Sequence, residues 1–432
     1  MDKFVVHGGK RLRGEVFVVG AKNSVLPLMA AALLPDSGTS VIRNVPDLAD
    51  VHTMARVLQH LGAKVAFDVK AGVLEIDASG VNSTEAPYDL VRKMRASFIV
   101  LGPLLARFGQ ARVSLPGGCS LGQRPVNLHL RGFERMNTRF KEDHGYIEGK
   151  TDALTGNTVY FDRPSHTGTE NIMIGAALAK GATTIVNAAC DPEVEDVARF
   201  LAAMGTDIQG AGTTMVKIQG RKNLKAAEVT VMPDRLEAGT YLLAGAVTGG
   251  EVTVHDCDPA HLDMVLEKLT EMGSSCATTA SSVRVSGPRR LKAADMVTFP
   301  YPGYPTDLQA TYMSLCCVAD GASHVRETVF EDRFTHVMEL TRLGASIKVA
   351  GDEATIKGVP ELSGASVMAS DIRAGAGLVV AALAARNTTE VLRIYHIDRG
   401  YVQMESRLRE LGADITRIDT ETSKEVEKPR FL

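Results

Sequence analysis

A helix-stop signature recurs along this 432-residue chain, and it constrains the fold more than any other feature. It reads Leu61-Gly62-Ala63, Met204-Gly205-Thr206, Met272-Gly273-Ser274, Leu343-Gly344-Ala345 and Leu411-Gly412-Ala413. The last four copies lie roughly 70 residues apart, and the first precedes the second by about twice that spacing. A sixth copy is therefore expected near residue 136, where Met136-Asn137-Thr138 stands. Asparagine can replace glycine at such a stop because its short polar side chain tolerates the left-handed conformation.

Around each stop the same pattern is read. Apolar helices are expected over 24–34, 96–108, 170–180, 237–248, 307–319 and 373–385. β-Branched strands follow, as at 39–42, 183–186 and 251–254. A polar loop then leads to an amphipathic helix, as at 51–61 and 194–204, and further strands come after the glycine, as at 215–218 and 228–231. The last copy runs out of chain soon after Gly412. The start of the chain supplies the missing part, since Val5-Val6-His7-Gly8-Gly9 and Leu12 to Val16 parallel Lys217-Ile218-Gln219-Gly220-Arg221 and Leu224 to Val229. The first 21 residues are thus expected to complete the sixth unit.

Six units divide into two α/β domains of three repeats each. One spans 22–232; the other is discontinuous, 1–21 with 233–432. A cleft between two such domains is the default place for a ligand. The alternative is one open solenoid, which would need polar capping repeats at its ends; the split unit favours closure. This length also suits two or three domains with substantial cores.

Composition excludes several functions. Net charge is −3, tryptophan is absent and aromatic residues make up 5%. Neither an electrostatic footprint for nucleic acid or anionic membrane nor a stacking platform for bases is expected. The six cysteines, Cys119, Cys190, Cys257, Cys276, Cys316 and Cys317, form no CxxC pair, and no histidine cluster has zinc spacing. Cys316-Cys317 falls on an apolar helix and reads as core. No apolar run reaches the length of a membrane span, and Met1-Asp2-Lys3-Phe4 has no secretory pattern. A cytoplasmic enzyme is expected. Gly20-Ala21-Lys22-Asn23 is not a Walker loop, and no GxGxxG follows a strand, so no cofactor and no metal are expected.

One loop carries the most reactive chemistry. Leu115-Pro116-Gly117-Gly118-Cys119-Ser120-Leu121-Gly122-Gln123-Arg124-Pro125 sets a thiol among glycines, five residues before an arginine. Such a loop brings backbone close to a ligand, and the cation would favour thiolate. A small apolar side chain under an ordinary loop is the alternative for Cys119. The second repeat is also roughly four residues longer than its siblings here, and an insertion in one copy is where function is grafted.

The starts of the six apolar helices are polar: Lys22-Asn23-Ser24, Arg95-Ala96-Ser97, Thr169-Glu170-Asn171, Asp234-Arg235-Leu236-Glu237, Thr306-Asp307 and Asp371-Ile372-Arg373. Helix N-termini attract phosphates and carboxylates. A lysine or arginine there is unfavourable without an anion, so Lys22 and Arg95 read as ligand-binding, joined by Arg124, Arg373 and Arg399. The carboxylate candidates are Asp50, Glu193, Asp307 and Asp371. Asp307, braced by Tyr304-Pro305, is a candidate general base, with helix capping the alternative. His129, His166 and His396 read as structural histidines in polar loops.

These residues resemble the enolpyruvyl transferases. Lys22-Asn23, Met94-Arg95-Ala96-Ser97, the Cys119 loop with Arg124-Pro125-Val126, Met232-Pro233-Asp234-Arg235, Pro305-Thr306-Asp307, Asp371-Ile372-Arg373-Ala374 and Ile394 to Gly400 carry the likeness over nearly the whole chain. The resemblance implies a two-domain inside-out α/β barrel. It implies transfer of the enolpyruvyl group of phosphoenolpyruvate to the 3-hydroxyl of UDP-N-acetylglucosamine, with release of phosphate, the first committed step of peptidoglycan synthesis. Cys119 would protonate the phosphoenolpyruvate methylene and can form a covalent adduct. Lys22, Asn23, Arg95, Arg124 and Arg399 would hold phosphate and carboxylate charge, with Lys22 and Arg399 counted as catalytic. Asp307 would bind the sugar hydroxyl and take its proton. Arg124, Pro125, Val126, Asn127, Leu128, Arg163, Ser165, His166, Thr167 and Val329 would line the nucleotide-sugar site. Asp50, Glu193, Arg235, Arg333, Asp371 and Arg373 would support it.

Two departures bear on the nucleotide. Asn127 stands where the family usually has aspartate, and Ser165-His166-Thr167-Gly168 replaces a usual Ser-Val-Gly-Ala. The alternatives are an enolpyruvyl transferase acting on another nucleotide or on shikimate 3-phosphate, against which the Cys119 loop argues, and a catalytically silent sensor of nucleotide sugars.

Overall fold

The computed structural model describes residues 2–92, 94–115 and 126–426. Contacts divide them into two compact units. One is built from 20–232; the other, the terminal unit, combines 2–19 with 233–426.

In the 20–232 unit the buried helices Lys22–Ala31 and Leu101–Phe108 both pack on a third, His166–Ala176. A 3-10 turn, Arg95–Val100, leads into the second. In the terminal unit the buried helices are Arg235–Val247, Gln309–Cys316 and Ile372–Ala384, and a 3-10 turn, Thr306–Leu308, leads into the middle one. The last helix reads Ile-Arg-Ala-Gly-Ala-Gly-Leu-Val-Val-Ala-Ala-Leu-Ala and is apolar all round apart from its start. A helix of that kind has no face to offer water and goes inside. Gly377 sits where it crosses Gln309–Cys316: a Cβ there would lie 2.9 Å from the Ala310 backbone. The close approach lets the Ser314 hydroxyl donate to the Gly377 carbonyl at 2.8 Å.

Sheets cover the helices. The described residues form six four-stranded sheets of one topology. A short edge strand pairs in parallel with a second strand, which pairs antiparallel with a third, which pairs antiparallel with a fourth. In one, Met296–Val297 runs parallel to Ala322–Arg326, which pairs with Glu353–Lys357, which pairs with Ser346–Ala350. Glu353–Lys357 alternates exposed and buried residues, as a half-buried strand must. Helices inside and sheets outside, repeated six times, make the two-domain inside-out α/β fold.

The N-terminal segment is shared between two sheets. Asp2–His7 lies between Thr388–Leu392 and Asp414–Asp419, completing the last sheet. Arg13–Phe17 is instead the parallel edge of the Glu251–His255 sheet, as Glu228–Thr230 is the parallel edge of the Thr39–Arg43 sheet. The six helix stops all adopt positive φ: Gly62 at 105°, Gly205 at 110°, Gly273 at 93°, Gly344 at 93°, Gly412 at 90° and Asn137 at 74°. Cys316 and Cys317 are core. Among the described residues, no helix is long and apolar enough to cross a membrane, and no group of His, Cys, Asp and Glu could hold a metal.

Candidate active site

Cys119, Arg124 and Pro125, with the rest of the glycine-rich loop, lie outside the described residues. The other candidates divide between the two units.

In the 20–232 unit, Lys22 opens its helix, with Asn23 next in the first turn. No carboxylate lies in that turn. The charge is met from the neighbouring helix Ala49–His60, where buried Asp50 lies 3.5 Å from the Lys22 ammonium. Arg95 opens the 3-10 turn. Its charge acts on His129, whose pKa is pushed down to about 3, first by burial and then by Arg95.

Hydrogen bonding settles the His129 tautomer. Asn171 Oδ1 accepts from Gly102 N at 2.9 Å, so its amide nitrogen faces His129 Nδ1 at 3.0 Å and donates. The imidazole proton is left on Nε2, 3.4 Å from Thr167 Oγ1. His129 is therefore a satisfied structural histidine, but it sits in the helix Asn127–Arg135 rather than in a loop. Val126 precedes that helix and is buried, Asn127 is exposed, and Leu128 is half-buried.

Ser165 caps the helix His166–Ala176 by accepting from Gly168 N. His166 opens it and lies 3.1 Å from Glu170 Oε1. Burial opposes its charge, but Glu170, Asp191 and Glu193 outweigh burial and raise the pKa to about 10. Arg163 and Thr167 are exposed, and Glu193 is buried in the first turn of Pro192–Ala203.

In the terminal unit Asp307 does not cap a helix. It sits in the 3-10 turn and is gripped by two arginines. Arg333 Nη2 donates to Oδ1 at 2.7 Å, and Arg373 Nε donates to Oδ2 at 3.1 Å. The two arginine side chains are 5% exposed and the Asp307 side chain 25%. Two guanidiniums favour the ionised carboxylate. Arg373 is also a helix-start residue. Asp371 caps its helix, accepting from Arg373 N at 2.9 Å and Ala374 N at 3.0 Å. The Arg373 guanidinium lies over the Tyr401 ring, and its buried Nη1 has no hydrogen-bond partner among the described residues.

Arg399 ends the 3-10 turn Ile394–Arg399, where its charge, after burial, lowers the pKa of His396. Arg235 is buried beneath Tyr301, 5.3 Å from the ring centroid. Val329 donates its backbone N–H to Glu327 Oε1 at 2.8 Å.

Glu327 is a residue that sequence reasoning passed over. Arg326-Glu327-Thr328 reads as an ordinary strand end, and no local signal marks the glutamate as buried. The structure buries it to 3% exposure.

Cations at helix starts and a carboxylate gripped by two arginines, carried on inside-out α/β units, suit a protein that handles anionic ligands. Residues 6–408 match the family described as EPSP synthase (3-phosphoshikimate 1-carboxyvinyltransferase), and the chain belongs to that family. Among its relatives, the UDP-N-acetylglucosamine 1-carboxyvinyltransferase of Desulfosudis oleivorans is 50% identical over 97% of this chain and 100% of that protein. The protein of the same name from Geobacter metallireducens is 51% identical over the same shares. The crystal structure of the enolpyruvyl transferase NikO from Streptomyces tendae superposes with a TM-score of 0.86 at 27% identity, covering 96% of this chain and 98% of that one. EPSP synthase from Acinetobacter baumannii, at 16% identity and TM-score 0.73 over 97% of this chain and 100% of that one, shares the fold.

Proposed function

We propose that this protein transfers the enolpyruvyl group of phosphoenolpyruvate to the 3-hydroxyl of UDP-N-acetylglucosamine, releasing phosphate, as the first committed step of peptidoglycan synthesis. The observation that carries this reading is near 50% identity, end to end, with relatives bearing the corresponding name.

The chemistry asks for a proton delivered to carbon and one taken from oxygen. Cys119 gives its proton to the methylene of phosphoenolpyruvate. The sugar oxygen bonds to C2 while its proton passes to Asp307. Phosphate then leaves as the methyl group returns a proton and the vinyl ether forms. Lys22, Asn23, Arg95, Arg124 and Arg399 hold the phosphate and carboxylate charges. Asp50 and Glu193 support the site residues of the 20–232 unit; Arg235, Arg333, Asp371 and Arg373 support those of the terminal unit. The unpartnered Nη1 of Arg373 is a buried donor of the kind an anionic substrate would satisfy. Residues 124–128, Arg163, Ser165, His166, Thr167 and Val329 receive the nucleotide sugar. Both substrates are cytoplasmic metabolites, and we place the activity there.

The test is phosphate release from phosphoenolpyruvate with and without UDP-N-acetylglucosamine. Release that requires the sugar nucleotide, with a mass gain of one enolpyruvyl group on it, supports the proposal. Release only with another nucleotide acceptor corrects the substrate, and binding without release with any acceptor would indicate a sensor.

A further inference from the structure

Glu327 gathers four donors. Its Oε1 accepts from the Thr298 hydroxyl at 2.8 Å, Val329 N at 2.8 Å and Phe330 N at 3.1 Å. Its Oε2 accepts from the Thr306 hydroxyl at 2.9 Å. Thr306 has one proton to give, so toward its other neighbour the hydroxyl must accept. It does: Arg333 Nη1 donates to it at 2.9 Å, while Nη2 of the same guanidinium donates to Asp307. The chain of bonds has one direction, from Arg333 through Thr306 to Glu327.

We infer that Glu327 is a positioning residue that holds the Asp307 carboxylate in register with the backbone at Val329. This rests on the enolpyruvyl-transfer reading, which sets both at the nucleotide sugar. One buried carboxylate fixes two things at once. Through Oε1 it shapes the turn that carries Val329. Through Oε2 it sets the direction of the Thr306 hydroxyl, hence the angle of the Arg333 fork, hence the position of Asp307. Arg373 Nε donates to the other Asp307 oxygen, so loss of the Arg333 contact removes the short charged bond to Oδ1 that sets the angle of the carboxylate.

Two substitutions separate this role from general support. In Glu327→Gln the amide oxygen keeps the three donors of Oε1, while the NH2 group meets Thr306 with a donor. The hydroxyl can accept from both, but its own proton loses the acceptor that fixed its direction, so the orientation of the hydroxyl toward Arg333 is no longer set. Thr306→Val removes the hydroxyl at nearly constant shape. Each variant should lower kcat at least about tenfold, because small misplacements of a reacting group cost that much or more. Each should raise KM for UDP-N-acetylglucosamine and leave KM for phosphoenolpyruvate within about twofold. The double variant should lose no more than either single one, and Thr306→Ser should recover most of the rate.

Equal losses in both KM values, additive losses in the double variant, or unchanged kinetics would each overturn the inference. A wild-type enzyme that releases no phosphate would overturn the enolpyruvyl-transfer reading instead. In that case the crystal structure of Thr306→Val decides: an Asp307 carboxylate that has not moved relative to Val329 refutes the positioning role, and a displaced one sustains it.

Discussion

Arg417 donates to both carboxylate oxygens of Asp398, at 2.9 and 2.5 Å, from a position with no solvent exposure. The same guanidinium reaches Glu405 at 2.7 Å and Asp2 at 3.4 Å. One residue of the last strand thereby ties the N-terminal strand to the turn that ends in Arg399. Burial pushes the Asp398 pKa up, against the pull of Arg417. Removing the arginine strands buried carboxylates, a defect that typically costs about 3–5 kcal/mol. Arg417→Met should therefore unfold at much lower urea concentration, and Arg417→Lys should recover little, because an ammonium cannot serve two carboxylates as a fork does. A midpoint within error of wild type would refute the assignment.

Acid sensitivity should trace in part to His129. Its folded pKa of about 3 lies below the ordinary 6.5. Between those values the unfolded chain holds a proton that the folded chain refuses, so acidification favours unfolding. The stability is whole above pH 6.5 and is lost as pH falls toward 3, by up to about 1.4 kcal/mol per pH unit. Glu237, raised by burial to about 7, works in the opposite sense, so the comparison must be between wild type and His129→Gln. Urea midpoints followed from neutral pH downward should fall less steeply in the variant; parallel slopes would count against a neutral, buried His129.

Asn137 offers a backbone test. At φ 74° it occupies the conformation that glycine holds at the five equivalent stops. Asn137→Ala should cost about 1 kcal/mol, whereas Asn137→Gly should be neutral or slightly stabilising. If alanine is tolerated as well as glycine in urea melts, the left-handed stop is not needed there.

Cys119 is tested by chemistry. Cys119→Ser should lose most turnover or product release, with the unfolding midpoint unchanged. Fosfomycin, an electrophilic phosphonate, should add its mass to the peptide carrying Cys119 when UDP-N-acetylglucosamine is present, and to no peptide in the serine variant. A wild-type protein that stays unmodified, or a serine variant with full activity, would remove the thiol from the proposed mechanism.

What the sequence determined by itself is local and periodic. The 70-residue recurrence, the six apolar helices and the left-handed stops follow from side-chain spacing and from which residues accept positive φ, and neither needs a distant partner. The helices lie within a few residues of expectation, but the segment expected at 170–180 runs earlier at both ends, as His166–Ala176, and the one expected at 96–108 opens as the 3-10 turn Arg95–Val100 before Leu101–Phe108. The resemblance named candidates on the same local ground. What tertiary structure decided is the use of each charge. Asp307 and Asp371 look alike in sequence, each an aspartate at a helix start. Only packing makes one a cap and gives the other to Arg333 and Arg373. Glu327 was invisible because nothing in a strand end shows that two threonine hydroxyls and two backbone N–H groups will converge on it. Such roles depend on which distant groups share a low-dielectric neighbourhood, and that is set when the helices and sheets pack.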